Sequence, residues 1–143
     1  MGKINWIRVL LGGLLCGLVF NVGEGFGGTV MMEEWSARFS KLGIDMNAVA
    51  QDPAIITFAL GGGFLYGLIC VWLYAAIRPR FGPGPKTAII AALTIWFVGY
   101  FWPTIAYSLI GLWPTRLALI AVAIGLAETV VGTLAGAWLY KEA

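Results

Sequence analysis

Four stretches of this chain are long and apolar enough to cross a lipid bilayer. They run over residues 4–26, 54–77, 87–112 and 117–140. Each exceeds the ~20 residues that cover roughly 30 Å of hydrocarbon at about 1.5 Å per helical residue. A bilayer core offers no water to backbone amides, so a spanning segment must satisfy them as a helix or a closed barrel. These are continuous apolar runs, not the ~10-residue alternating strands of a membrane barrel. Composition agrees: 60% of the 143 residues are hydrophobic and 11% charged, against about 45–50% and about 25% in soluble domains. The expected fold is all-α, a four-helix transmembrane bundle forming one domain over residues 1–143, with lipid as its solvent.

The breaks between the runs are well marked. Asp52-Pro53 reads as a helix start, with Asp as cap and Pro at the first helical position. The connection Arg78–Lys86 has three prolines and two glycines and is expected to end the second helix at once. Gly111–Leu117 is a short turn, so spans three and four should form a tight hairpin. Residues 29–43 read as an amphipathic segment. Met31, Trp35, Phe39 and Leu42 recur at helical spacing, opposite Glu33, Glu34, Arg38 and Lys41. It either continues span one or lies on the interface, and Gly43 ends it. The first run follows Lys3 and Arg8, yet it is longer than the 7–15-residue core of a signal peptide and reads as a retained span.

Lys3, Arg8, Arg78, Arg80, Lys86 and Lys141 fall at one end of this topology. Arg38, Lys41 and Arg116 fall at the other, with Glu33, Glu34, Asp45 and Asp52. The positive-inside rule then places both termini in the cytoplasm. Spans two and four end in Trp72-Leu73-Tyr74 and Trp138-Leu139-Tyr140. That echo is either a parallel repeat or independent aromatic anchoring.

The stretch WLYAAIRPRFGPGPKTA (72–88) and the terminal GAWLYKEA resemble segments of uncharacterised small bacterial four-span integral membrane proteins. The resemblance covers spans two to four. It implies a bacterial inner-membrane protein of this topology, and it brings no ligand or activity with it.

Spans one, two and four carry small-residue stripes, Gly13 with Gly17, Gly63 with Gly67, and Gly132 with Gly136. Such stripes let membrane helices approach closely. Continuing the first stripe adds Asn21 and Glu24; extending the last towards its start adds Glu128. Each carboxyl therefore shares a helix-packing face. Glu128 lies near the midplane of span four, where insertion scales put a charge at about 2.5–3.5 kcal/mol. Glu24 lies near the outer end of span one, and these depths argue against contact between the two. Span three supplies Tyr100, Thr104, Tyr107 and Ser108 around Pro103, which should kink the helix. With Thr129 on span four, these residues outline a carboxyl-lined pocket opening outward, suited to a proton, a cation or a small molecule.

The chain has no His, which removes Ser-His and Cys-His pairs and the HExxH motif. No enzyme, cofactor or metal site is expected, and a net charge of +2 gives no reason to expect nucleic acid. Cys16 and Cys70 read as small buried side chains. Two functions fit. One is a small oligomeric transporter or channel coupled to protons or cations. The small multidrug-resistance transporters offer an analogy in span count and in a first-span Glu, but their Glu lies deeper, and they lack this outer segment. The other is a non-catalytic membrane subunit or binding module, in which Glu and Asn serve helix packing and partner docking.

Overall fold

The computed structural model describes residues 3–142; Met1, Gly2 and Ala143, the ends of the single-domain range, lie outside the described residues. Six α-helices succeed one another: α1 (Trp6–Phe39), α2 (Met46–Gln51), α3 (Pro53–Phe81), α4 (Pro85–Trp96), α5 (Trp102–Leu109) and α6 (Thr115–Leu139). Among the described residues there is no strand. A 3₁₀ turn, Ser40–Leu42, comes after α1, and a π-turn, Phe97–Phe101, joins α4 to α5. Four helical segments have the length and apolarity to cross a membrane: Trp6–Leu42, Pro53–Phe81, Pro85–Leu109 and Thr115–Leu139. The protein is an all-α, multi-pass membrane bundle.

Local chemistry fixes the ends. Asn5 caps α1 by accepting the Arg8 N–H (3.2 Å). Asp52 caps α3, accepting Ala54 N–H at 2.8 Å, with Pro53 at the first position. Prolines alter the sequence reading at two places. The helix α3 runs through Pro79 to Phe81 instead of stopping at Arg78. Proline removes one N–H, so only the Ala75 carbonyl loses its partner, within two turns of an end where carbonyls go unpaired anyway. The chain then turns at Gly82 and Gly84, whose φ angles of 84° and 119° suit glycine. In span three the Pro103 ring is accommodated by the π-turn just before it. The Trp102 N–H reaches back to the Phe97 carbonyl, five residues away, which absorbs one extra residue.

The amphipathic segment continues span one. At 34 residues, α1 is roughly 51 Å long, well beyond the hydrocarbon thickness. Its overhang grips the α5–α6 turn. Arg38 donates from Nε to the Leu112 carbonyl (3.3 Å) and from Nη2 to that of Gly111. Glu34 pairs with Arg116, and the Trp35 ring lies 5.6 Å from that of Trp113. The supposed solvent face of this segment is thus partly a contact face.

In the bundle α1 packs on α3 and α6, which touch each other; α4 packs against the same two helices. The crossings are made by bare backbone. A methyl added at Gly67 would stand 2.7 Å from Gly17 Cα, and one at Gly136 would stand 2.6 Å from the Gly12 carbonyl oxygen. Gly13 lies on Leu68, and Gly132 on Cys16. The helix α1 therefore has two glycine faces, and Gly12 belongs to one that the Gly13–Gly17 stripe does not show. Gly62 on α3 faces open space. Gly67→Ala is expected to destabilise the detergent-solubilised protein by about 1–3 kcal/mol through overpacking, with Gly62→Ala close to neutral. Equal thermal midpoints for the two variants would contradict these crossings.

Candidate functional site

Glu128 is fourteenth of the 25 residues of α6, and its side chain is 5% exposed. The Gly23 backbone of α1 lies directly against its carboxyl. Gly23 has no side chain, so α1 lies against Glu128 at the level of Glu24, the next residue along. The depth expectation is overturned here. Because α1 does not end at residue 26, Glu24 is nineteenth of 34 residues, mid-helix like Glu128.

A third group completes the cluster. Tyr100, carried on the π-turn, donates its hydroxyl to Glu24 Oε1 at 2.6 Å. Its ring fits against Gly125, one turn before Glu128, where an added methyl would be 2.6 Å away. Phe20 meets the Tyr100 ring edge-on at 6.5 Å and the Tyr66 ring at 4.5 Å. Tyr66 in turn shares a hydrogen bond with Thr129 (3.3 Å). Four helical segments thus converge on one spot.

Its electrostatics are lopsided. Both Glu128 carboxyl oxygens are buried without a hydrogen-bond partner. The ion pairs among the described residues, Arg78–Glu142 and Glu34–Arg116, involve neither Glu24 nor Glu128. A carboxyl in a low-dielectric interior is costly to charge unless a cation balances it. The chemistry open to this arrangement is to take up and release a proton or a small cation. No cluster of three His, Cys, Asp or Glu occurs among the described residues, so a metal would find only two carboxylates and a phenol.

The other sequence-derived residues divide. Thr129 joins the cluster through Tyr66. Asn21 belongs to the α1–α3 seam: its amide donates to the Leu60 carbonyl (3.2 Å) and packs on Gly63. Thr104 is buried on α5. Tyr107 lies near Trp113, with ring centroids 6.0 Å apart, at the α5–α6 turn. Ser108 lines an open cleft of about 530 Å³ at the α5–α6 turn with Glu34, Arg38, Lys41 and Trp113. That cleft is not the expected pocket, because Glu24 and Glu128 do not line it. The polar face from Tyr100 to Ser108 is broken by the π-turn, since one extra residue rotates the remainder of the helix by about 100°.

Tyr66 is missing from the sequence-derived set, although Gly63, Tyr66, Gly67 and Cys70 form one helical stripe. Gly23 is a second omission, as is the meeting of Cys16 and Cys70 in one buried cluster. No family model, characterised protein sequence or solved structure matches the chain. What the fold defines is a multi-pass membrane protein with one buried carboxyl, Glu128, in its interior.

Stability distinguishes the polar groups. Asn21→Ala removes an interhelical hydrogen bond and should cost about 0.6 kcal/mol. Glu128→Met removes a buried carboxyl that lacks such a bond, and its thermal midpoint should equal or exceed that of the wild type. A marked loss on Glu128→Met would show that the carboxyl serves as helix glue.

Proposed function

We propose that this protein is a small transporter or channel in which the Glu24–Glu128 pair carries a proton, or a cation in its place. The observation that carries the reading is the buried, unpartnered Glu128 carboxyl, with α1 packed on it at Gly23, next to Glu24. A membrane protein that needed only packing would be more stable with an apolar side chain there. Ionisable groups held inside bundles at such cost mark ion or proton pathways. The Tyr100 hydroxyl, bonded to Glu24, is placed to pass a proton along. The reading assigns no catalytic step to the chain.

Four helices enclose little space, so conduction fits an assembly of copies. Gly25 on α1 and Gly61 and Gly62 on α3 meet nothing within 4 Å, leaving backbone bare for another copy to approach. The lysine and arginine excess favours cytoplasmic termini, and the resemblance of residues 72–88 favours the bacterial inner membrane. A second reading, as a docking subunit, draws on Asn21, whose bond to Leu60 is pure helix packing.

Proteoliposomes under a potassium diffusion potential, with an internal pH dye, test the choice. Wild-type protein should admit protons faster than empty vesicles. Glu128→Gln and Glu24→Gln should each slow entry by at least about tenfold, and Asn21→Ala should leave it unchanged. Equal rates from wild-type, Glu128→Gln and empty vesicles would remove the carboxyl pair from any conducting role.

A further inference from the structure

At the end of the bundle that carries both termini, the α3–α4 turn and the last turns of α6 enclose a groove of about 230 Å³. Tyr74, Pro85, Ala88, Leu134, Ala137 and Trp138 line it, and its wall is apolar apart from one phenol. Trp138 forms the rim at 80% exposure. The turn is held in place: the Gly84 N–H donates to the Tyr74 hydroxyl (3.3 Å) and Thr87 Oγ1 to the Gly82 carbonyl (2.6 Å).

The same turn is basic, and its charge is not cancelled evenly. Arg78 pairs with Glu142 at 3.2 Å and lies over the Tyr140 ring. Arg80 and Lys86, which flank the turn, are exposed and have no ion pair among the described residues. The slot is thus walled in part by Gly84 and Pro85 of a turn whose two ends carry Arg80 and Lys86, cations with no ion pair among the described residues.

We propose that this groove binds one anionic glycerophospholipid, an acyl chain in the slot and the phosphate between Arg80 and Lys86. Charge complementarity selects this occupant. A second copy of the chain in the same orientation would bring the same cations to the same depth, and like charges repel. A zwitterionic lipid would fill the slot but leave the cations unbalanced. Basic residues at a membrane surface favour anionic lipid by about 1 kcal/mol each, roughly fivefold per residue.

The full chain in nanodiscs of equal phosphatidylglycerol and phosphatidylcholine provides the test, with retained lipid read by native mass spectrometry. Wild-type protein should retain a single phosphatidylglycerol in preference. Arg80→Gln combined with Lys86→Gln should reduce that preference by roughly tenfold or more. Leu134→Trp should fill the slot and lose the lipid with the charge unchanged; if that variant does not fold, Trp138→Ala, at an exposed position, should weaken retention instead. Equal retention of both lipids by the wild type would overturn the proposal. So would an unchanged preference in the double variant, unchanged retention in the groove variant, or displacement by inorganic phosphate alone.

Discussion

Everything in this bundle depends on backbone meeting backbone where α1 crosses α3 and α6. In lipid there is no water to drive helices together, so association rests on close packing and on the few polar groups that find partners. Gly17 against Gly67 and Gly12 against Gly136 bring α1 into the angle between its two neighbours. That placement in turn sets Gly23 on the Glu128 carboxyl and brings Glu24 within reach of Tyr100. The acidic pair is a consequence of the crossing, since a larger residue at Gly12 or Gly67 would hold α1 away from both neighbours.

The two ends of the molecule are secured differently from its middle. At one end the α1 overhang uses Arg38, Glu34 and Trp35 to hold the α5–α6 turn. At the other, the two Trp-Leu-Tyr segments meet: the Tyr74 and Tyr140 rings pack edge-to-face at 5.8 Å, and the Tyr140 hydroxyl accepts the Asn5 N–H. Their likeness in sequence therefore corresponds to a contact in space.

Much of the architecture can be read from the residues. Hydrocarbon-length runs, the Asp52-Pro53 cap and the glycine spacing give helices, boundaries and packing surfaces because they depend on local chemistry. The site is less legible. Glu24 reads as too near the surface because Phe26 looks like the end of a span, whereas the helix carries on for thirteen more residues. Tyr100 and Ser108 look like one face if a regular 3.6-residue period runs through Pro103; the π-turn resets it. Tyr66 and the second glycine face of α1 become visible only once it is known that α1 touches two helices rather than one.

The most direct test of the central claim asks whether Glu24 and Glu128 occupy one place. In a background of Cys16→Ala and Cys70→Ala, Glu24→Cys and Glu128→Cys would be treated in membranes with a short bifunctional thiol reagent. The packing of α1 on α6 predicts an intramolecular bridge, with none when Val22→Cys, on the exposed side of α1, replaces Glu24→Cys. A bridge that forms equally from residue 22, or none from residue 24, would contradict it.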